Sequence, residues 1–398
     1  MVRFRASSAP EQTGMRILNV NTAVEPVMGG GTGERTYQLT RFLARGGADC
    51  SVLTLDLGLT PQRIDALRPA KVTALRCVSL RFGIFPLPEK RIGQLVQWAD
   101  VIHLTGHWTL LNAIVYREAL SQGKPYVVCP AGALPIYGRS RALKSWYNQL
   151  VGRHMVCGAS AWVAVSRNEL THFANYGVPE ERVTLIPNGI DPDDFTTSDP
   201  GGFRQKFSVP SSPFILFLGR LNPIKGPDLL LRAFSGIASS FSAVHLVFAG
   251  QDEGMLRPLK QLAAEAGVSE RVHFIGPIRG TDKSHAYHAA SLLAVPSRQE
   301  AMSIVVLEAG ICGTPVLITD QCGFDEIAGS GGGLVVPASE AGLKHGLQNM
   351  LANMERLPAM GSRLRQFTCD NYLWTQLVRR YLELFHTVLS RRKPACVF

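Results

Sequence analysis

Short apolar runs alternate with helix-forming segments along almost the whole chain of 398 residues. Most of the runs end at Gly, Asn, Pro or Ser, as FILFL does at Gly219. This alternation is typical of parallel sheets whose strands are connected by helices, and it favours an α/β fold. We predict strands at about 15–20, 50–55, 101–104, 126–129, 161–165 and 183–186 in the first half, and at about 214–218, 244–249, 271–275, 292–295, 315–319 and 333–336 in the second.

A segment without periodicity divides the two halves. Residues 187–203, PNGIDPDDFTTSDPGGF, are rich in Pro, Gly and Asp, which is the composition of a linker. The length of the chain suits about two domains. We therefore expect an N-terminal domain at 15–190, a linker at 191–203 that acts as a hinge, and a C-terminal domain at 204–370. An amphipathic helix is predicted at 371–390.

Two glutamates flank the start of a helix in the second half. Glu300 follows the strand SLLAVPS, and Glu308 lies one to two turns inside the apolar helix IVVLEAGICG. Ligands collect at the carboxyl ends of strands in open α/β sheets, and the first turn of a helix offers amides to an anion. We predict that Glu300 binds sugar hydroxyls, that Glu308 accepts from a ribose diol, and that the amides of Ser303, Ile304 and Val305 bind phosphate. Two solvated glutamates are the alternative.

Two cations follow the strand predicted at 214–218. Arg220 and Lys225 lie between the end of this strand and a helix that begins near Gly226. A guanidinium binds phosphate bidentately and an ammonium acts as a mobile point charge, so the pair suits a diphosphate. The alternative is that both side chains are only solvated.

A glycine-rich segment follows the first strand. Gly29, Gly30 and Gly31 precede a helix, and glycines allow a close approach of the backbone to a ligand. The sequence matches neither G-x-G-x-x-G, because Glu34 takes the place of the last glycine, nor G-x-x-x-x-G-K-[ST]. It therefore supports neither an NAD enzyme nor a P-loop nucleotidase. We predict that these three glycines bind substrate, with a simple turn as the alternative.

Taken in order, these segments resemble the retaining glycosyltransferases of family 4, which share the GT-B fold. The glycine segment is followed in order by DVIHLTGHW, VVCPAG, TLIPNGIDPDDF, FLGR…KG and PS…E(x7)E. The resemblance covers roughly residues 15–381. It implies two Rossmann-like, doubly wound parallel-sheet domains facing across a cleft, with the last helix crossing back to the first domain. The N-terminal domain is expected to bind the acceptor and the C-terminal domain the nucleotide sugar. The implied reaction moves a sugar from a nucleotide sugar to a saccharide or lipid-linked acceptor, in polysaccharide or glycolipid biosynthesis. By the same resemblance Arg220 and Lys225 bind the diphosphate, Glu300 the transferred sugar and Glu308 the ribose.

No cofactor is expected beyond the nucleotide sugar, for which a UDP- or GDP-sugar is the first choice, and no metal is expected. The run DPDD at 191–194 lies in the predicted linker, and the pair His285 and His288 has no third ligand in view. Arg220, Lys225 and the helix start must then stabilise the departing diphosphate. The resemblance implies a same-face route without a protein nucleophile.

One departure from the family concerns a histidine. Similar enzymes often carry a histidine just after the fourth strand of the first domain, where this chain has Ala131 in CPAGALP. His103 and His107 are the nearest substitutes, and His107 is preferred because it lies in a loop beside an aromatic residue. We predict His107 as a catalytic residue, with a structural, hydrogen-bonding histidine as the alternative.

The net charge of +10 suggests an anionic binding partner. The arginines are scattered along the chain and no nucleic-acid-binding module is recognised, so nucleic acid is not expected as that partner. A local patch at 135–155 suits an anionic membrane surface, and a solvated, half-buried helix is the alternative. The patch combines basic and aromatic residues: Tyr137, Arg139, Arg141, Lys144, Trp146, Tyr147 and Arg153.

The expected location is the cytoplasm, with peripheral association on the inner face of the membrane. No signal peptide is recognised, no apolar stretch approaches the roughly 18 residues of a membrane span, and the eight cysteines form no C-x-x-C motif. Two other functions remain open. One is a sugar-nucleotide-binding paralogue with impaired catalysis, to which Ala131 points. The other is a different GT-B enzyme, either a phosphorylase or an NDP-sugar epimerase.

Overall fold

The chain divides into two compact units in a computed structural model of the protein. Unit 1 comprises Met1–Pro187 and Trp374–Phe398, and unit 2 comprises Asn188–Leu373. Each unit contains one parallel sheet with connecting helices, which confirms the predicted α/β class. The structure describes residues 14–79, 85–86, 90–136 and 140–391.

Unit 1 is built on a parallel sheet of seven strands. The strands are β1 (Arg16–Val20), β2 (Asp49–Leu55), β3 (Lys71–Leu75), β4 (Val101–Thr105), β5 (Tyr126–Cys129), β6 (Ala161–Ala164) and β7 (Val183–Leu185). Their order in the sheet is β3-β2-β1-β4-β5-β6-β7. The helices are α1 (Pro26–Arg45), α2 (Pro61–Asp65), α3 (Lys90–Trp98), α4 (Leu110–Ser121), α5 (Arg141–Tyr147), α6 (Arg153–Cys157), α7 (Asn168–Ala174) and, after unit 2, α16 (Trp374–Ser390). A π-helical turn at Asn148–Gly152 joins α5 to α6.

Unit 2 is built on a parallel sheet of six strands. The strands are β8 (Phe214–Leu218), β9 (His245–Ala249), β10 (Val272–Gly276), β11 (Leu292–Val295), β12 (Val316–Thr319) and β13 (Gly333–Val336). Their order is β10-β9-β8-β11-β12-β13. The helices are α8 (Pro200–Phe207), α9 (Pro227–Ser235), α10 (Leu256–Glu265), α11 (Thr281–Ala289), α12 (Ile304–Cys312), α13 (Ile327–Ser330), α14 (Glu340–Ala352) and α15 (Leu357–Asn371).

The strand order changes direction once in each sheet. In unit 1 the change lies between β1 and β4, and in unit 2 it lies between β8 and β11. Ligands of open α/β sheets bind outside the carboxyl ends of the strands at this switch point. The segments that follow β8 and β11 contain Arg220, Lys225 and Glu300. The topology therefore brings these predicted site residues to one edge of the sheet.

One strand was missed by the sequence analysis. The predicted strands are all present close to their expected positions, but β3 was not predicted. Its sequence KVTAL is short, and β3 lies at the edge of the sheet with three residues only partly buried. An edge strand of this kind carries a weak apolar pattern, which explains the omission.

The predicted linker is more ordered than expected. Residues 191–203 contain a 3₁₀ turn at Pro192–Phe195 and the first half of α8, both of which belong to unit 2. The side chain of Asp199 caps α8, since its Oδ1 accepts from the amide of Gly202 at 2.9 Å. The Pro, Gly and Asp residues here therefore mark capped short helices, and the units divide instead at residues 187–188 and 373–374.

The last helix belongs to unit 1. It begins at Trp374, three residues later than the predicted 371–390, and buries Trp374 and Tyr381. Arg35 in α1, only 1% exposed, donates to the Tyr381 hydroxyl at 2.6 Å and to the Ile186 carbonyl at 2.8 Å. A buried guanidinium is stable only with such partners, so α16 completes the surroundings of Arg35.

Candidate functional site

The predicted site in unit 2 centres on an ion pair. The Nζ atom of Lys225 lies 2.9 Å from Oε1 of Glu300, and both side chains are mostly buried. The hydroxyl of Ser297 donates to the same carboxylate oxygen. The structure therefore brings together two of the residues that the sequence analysis selected, one from the segment after β8 and one from the segment after β11.

The loop that carries Lys225 is tightly constrained. Lys225 ends a 3₁₀ turn, and its amide donates to Oδ1 of Asn222 at 3.0 Å. Gly226 follows with a φ of +66°, and a Cβ atom there would collide with the Pro296 carbonyl. The amide of Arg298 donates to the Ile224 carbonyl at 2.7 Å. These contacts hold the loops after β8 and β11 against each other, which positions the ion pair.

Arg220 has a different partner from the one expected. Its Nη1 lies 2.9 Å from Oε1 of Glu253, and the side chain is about half exposed. Asn222 donates to the second oxygen of Glu253 at 2.7 Å. A diphosphate bound by Arg220 must therefore compete with Glu253, a residue that the sequence analysis did not select.

The start of α12 is supported by the loop after β12. The amide of Glu300 donates to the Gln321 carbonyl at 2.8 Å, and the amide of Ser303 donates to the Cys322 carbonyl at 3.2 Å. The Ser303 amide, which was predicted to bind phosphate, thus already has an acceptor within unit 2, and its role in phosphate binding stays a prediction. Ile304 and Val305 occupy the first turn of α12, where a helix supplies no acceptor for the amides. Their predicted role in phosphate binding stays a prediction.

Glu308 is buried with two partners from α11. It is 4% exposed, and its oxygens lie 2.5 Å from Nζ of Lys283 and 2.6 Å from the Tyr287 hydroxyl. Burial first, and then the adjacent Glu308, raise the pKa of Tyr287 well above its usual value, so this hydroxyl is a donor. Lys283 and Tyr287 are four residues apart and therefore share one face of α11. Neither residue was predicted from the sequence, although a carboxylate in an apolar helix requires such partners.

The glycine segment of unit 1 is helical rather than a loop. It lies inside α1, which is interrupted at Gly30 by a φ of +55° and a ψ of −146°. A Cβ atom at Gly29 would overlap the Ala23 carbonyl, whereas Gly30 faces open space and Gly31 is exposed. Gly29 is thus required for close packing and Gly30 for its backbone conformation. Substrate binding by the three glycines stays a prediction.

Alanine substitutions are expected to distinguish the structural roles of these three glycines. Gly29→Ala and Gly30→Ala should each lower the free energy of unfolding by about 1 to 3 kcal/mol, through overlap and backbone strain respectively. Gly31→Ala, the matched control in the same helix, should leave stability unchanged or raise it slightly. Urea denaturation of the three variants measures the differences. Equal losses in all three would contradict the assignment.

His107 is buried in unit 1. It is 1% exposed, and its Nε2 lies 2.9 Å from Oδ1 of Asn148 and 3.4 Å from the Tyr176 hydroxyl. The ring also packs edge-on against Trp108 and Tyr147. Burial lowers the pKa of His107 to about 4, so the ring is neutral at pH 7. The structure shows His107 engaged in hydrogen bonding and packing within unit 1, and its catalytic role stays a prediction.

The position that lacks the family histidine has an unusual backbone. Ala131 has a φ of +49°, in the left-handed region. The next amide, of Gly132, donates to Oε1 of Glu169, whose Oε2 accepts from the Val165 amide at 2.6 Å. Burial raises the pKa of Glu169. Glu169 therefore joins the loops that follow β5 and β6, a function that the sequence analysis did not predict.

Within the described residues, no three or more His, Cys, Asp and Glu side chains are grouped so as to hold a metal ion. The Nδ1 of His288 lies 2.8 Å from the Ser284 carbonyl, as expected of a hydrogen-bonded helical histidine. None of the helices in these same ranges has the length and apolar content needed to cross a membrane.

Two family models match the chain. The model for Glycosyltransferase Family 4 matches residues 29–194, and the model for glycosyl transferases group 1 matches residues 202–367. The chain is a group 1 glycosyltransferase of the GT-B fold. Unit 1 of this glycosyltransferase carries most of the first match, and unit 2 carries the second.

The glycosyltransferase has related proteins of known sequence and structure. It is 31% identical to the D-inositol 3-phosphate glycosyltransferase of Nocardia farcinica over 60% of this chain and 54% of that protein. It is 27% identical to the enzyme of the same name from Xylanimonas cellulosilytica, over 77% of this chain and 81% of that protein. The crystal structure of Anabaena HepE with UDP and glucose has a TM-score of 0.75 at 19% identity, and covers 94% of this chain and all of HepE.

Proposed function

We propose that this glycosyltransferase transfers a sugar from a nucleotide sugar to an acceptor with retention of the anomeric configuration. The observation that carries the proposal is the ion pair between Lys225 and Glu300 beside the start of α12. A cation for phosphate and a carboxylate for sugar hydroxyls are thereby held next to each other at the switch point of unit 2. HepE was crystallised with UDP and with UDP-glucose, which favours a UDP-sugar donor over a GDP-sugar donor.

Different residues around this pair bind the diphosphate, the sugar and the ribose of the donor. Lys225 and Arg220 bind the diphosphate together with the amides of Ile304 and Val305. Glu300 accepts hydrogen bonds from hydroxyls of the transferred sugar. Glu308, held by Lys283 and Tyr287, accepts from the ribose.

The proposed reaction needs no protein nucleophile. The bond between the anomeric carbon and the diphosphate oxygen breaks while the acceptor oxygen bonds to the same face of that carbon. The acceptor proton passes to the departing phosphate oxygen, and Lys225 and Arg220 stabilise the negative charge that develops there. These two fixed cations then stabilise the leaving diphosphate without a metal ion.

The acceptor is proposed to be a hydroxylated molecule that carries a phosphate. The names of the two relatives specify inositol 3-phosphate, a phosphorylated polyol, as the molecule on which those proteins act. A lipid-linked saccharide or polyol has the same two chemical features. The corresponding role is in polysaccharide or glycolipid biosynthesis.

A panel of sugar nucleotides in excess EDTA tests the function. A bound donor stabilises the folded state by about 2.7 kcal/mol at a hundred times its dissociation constant, so the matching nucleotide sugar should raise the melting temperature. The same donor should be hydrolysed slowly without an acceptor, and the product anomer can be read by NMR. No thermal shift with any UDP- or GDP-sugar, or an inverted product, contradicts the proposal. Activity that requires added Mg²⁺ contradicts the metal-free part.

Peripheral membrane binding is proposed for the segment that begins with α5. Leu143, Trp146 and Leu150 are 54%, 68% and 74% exposed, and Arg141 and Lys144 lie among them. Exposed apolar side chains interspersed with cations suit an anionic lipid surface, on the cytoplasmic side of a membrane. Tyr137 and Arg139 of the predicted patch lie outside the described residues.

Vesicle sedimentation tests the membrane proposal. The protein should bind vesicles that contain phosphatidylserine and not pure phosphatidylcholine, and high salt should weaken binding. The double variant Trp146→Ala, Leu150→Ala should lose most of the binding. Leu120→Ala, the control, removes a similarly exposed leucine from α4 and should bind normally. Equal binding by the double variant and the parent would contradict the proposal.

A further inference from the structure

An arginine from the loop after β11 binds the turn that carries Lys225. The guanidinium of Arg298 donates from Nη1 to the Pro223 carbonyl at 2.6 Å, and the Arg298 amide donates to the Ile224 carbonyl at 2.7 Å. Pro223 and Ile224 are the first two residues of the 3₁₀ turn that ends at Lys225. Arg298 therefore contacts this turn through both its side chain and its backbone, at the two residues directly before the lysine.

The same guanidinium also binds an aspartate that follows the turn. Asp228 lies in the first turn of α9, and its two carboxylate oxygens accept from Nη1 and Nη2 of Arg298 at 2.8 and 2.7 Å. Burial alone would raise the pKa of Asp228, but the hydrogen bonds and the charge of Arg298 lower it, so the carboxyl is ionised at pH 7. The planar, bidentate pair therefore connects the residue that begins the turn to the helix that follows it.

The loop that carries Arg298 also carries Glu300. Ser297, which precedes Arg298, donates its hydroxyl to the Glu300 carboxylate, and the Ser297 carbonyl accepts from the Thr319 hydroxyl at 2.5 Å. Thr319 is the last residue of β12. The loop after β11 is thus fixed to the end of β12 and, through Arg298, to the Lys225 turn. These connections link the backbone around the ammonium to the backbone around the carboxylate.

The exposure of the pair of Arg298 and Asp228 limits what it contributes to stability. Their side chains are 34% and 27% exposed, and ion pairs that water reaches contribute little to the free energy of unfolding. Arg16 and Asp100 form a comparable pair in unit 1, with side chains 44% and 30% exposed and two guanidinium nitrogens bound to the carboxylate. The two pairs differ in that Arg298 also binds the turn of a predicted site residue.

The position of the Lys225 ammonium depends on the position of its turn. A lysine side chain is a flexible four-carbon stem, so only a fixed backbone keeps its charge beside Glu300 at 2.9 Å. Misplacing a reacting or stabilising group by about 1 Å costs on the order of a hundredfold in rate, even when the substituted residue is remote from the chemistry. Contacts that fix this turn therefore affect turnover more than they affect folding.

We propose that Arg298 and Asp228 are positioning residues for sugar transfer. They hold the Lys225 turn where its ammonium meets both Glu300 and the departing diphosphate, and they act without contacting the donor. The inference rests on the proposed function, which assigns Lys225 to the diphosphate. It requires that the effect of either residue on turnover be exerted through Lys225.

A double-mutant cycle with Lys225→Met tests this inference. The kcat is measured at saturating donor with the fastest substrate from a panel of UDP- and GDP-sugars. Arg298→Gln should lower kcat about tenfold in the parent but less than about twofold in Lys225→Met, because the place of the turn no longer matters once its ammonium is gone. Asp228→Asn should match Arg298→Gln, and the two together should cost no more than either alone. Arg298→Lys keeps a charge for Asp228 but loses the fork, and should recover part of the loss.

Arg16→Gln is the matched control, because it breaks the comparable pair in unit 1. It should lower kcat less than about twofold, with a change in melting temperature similar to that of Arg298→Gln. Normal turnover in Arg298→Gln, or a tenfold loss that persists in the Lys225→Met background, would overturn the positioning role. If Arg298→Gln does not fold, Asp228→Asn and Arg298→Lys complete the same cycle. Normal turnover in Lys225→Met would instead reject the diphosphate assignment, and a parent that uses none of the sugar nucleotides would reject the proposed function itself.

Discussion

Lys225→Met is expected to lower the rate of sugar transfer by about a hundredfold, the usual effect of removing one group that stabilises charge in a transition state. The ammonium of Lys225 lies 2.9 Å from Glu300 at the carboxyl end of β8, where the leaving diphosphate is proposed to bind. The change removes the charge while keeping most of the side-chain volume. Turnover at saturating donor measures the effect, and thermal unfolding checks that the fold is intact.

Lys206 provides a matched control for this substitution. Its Nζ also forms an ion pair, at 2.8 Å from Asp282, but on the exposed surface of unit 2. Exposed pairs contribute about 0 to 1 kcal/mol, so Lys206→Met should change turnover less than about twofold. Near-normal turnover in Lys225→Met would remove the diphosphate assignment. Arg220→Ala should also lower turnover, and Glu253→Gln should not, because Glu253 competes with phosphate for Arg220.

Glu308→Gln is expected to weaken binding of the free nucleoside diphosphate by about 10- to 150-fold. The buried carboxylate accepts from Lys283 and Tyr287 and is proposed to accept from the ribose as well. A neutral amide cannot accept at both positions, and it leaves the Lys283 ammonium without its counter-ion. Calorimetric titration with UDP measures the change.

Two other variants serve as a control and a comparison for Glu308→Gln. Glu265→Gln alters an exposed helical glutamate that accepts from Gln261, and it should bind UDP normally. Glu300→Gln should retain nucleoside diphosphate binding but lose sugar transfer, since Glu300 is assigned to the sugar. If Glu308→Gln bound UDP like the parent, the ribose assignment would be wrong.

The fold was predictable because local and global signals agree. Buried parallel strands appear as apolar runs, and the topology then brings the segments after β8 and β11 together without further information. Lys225 and Glu300 could be selected for this reason. The edge strand β3 was missed because partial exposure erases the apolar pattern on which the prediction depends.

Side-chain partners were much less predictable. Glu308 was recognised as an anomaly in an apolar helix, but Lys283 and Tyr287 come from α11, and sequence spacing does not show which helix packs against α12. His107 does lie in a loop, but its burial was not predicted because Asn148 and Tyr176, which surround it, lie 41 and 69 residues further along the chain. Burial that depends on such long-range contacts is decided by tertiary packing.

The position of α16 at the end of the chain determines the order in which the two units can complete their folding during synthesis. Domains generally fold as units while the chain emerges from the ribosome, the N-terminal one first. Here the Tyr381 partner of Arg35 is translated only after all of unit 2, so the buried guanidinium lacks one of its acceptors until then. Unit 2, although second in sequence, is the first part of the nascent chain that holds all of its own elements. Unit 1 has all seven strands by then but lacks its last helix, and the surface that α16 covers stays exposed, which makes unit 1 the part of the newborn protein that depends most on protection from aggregation.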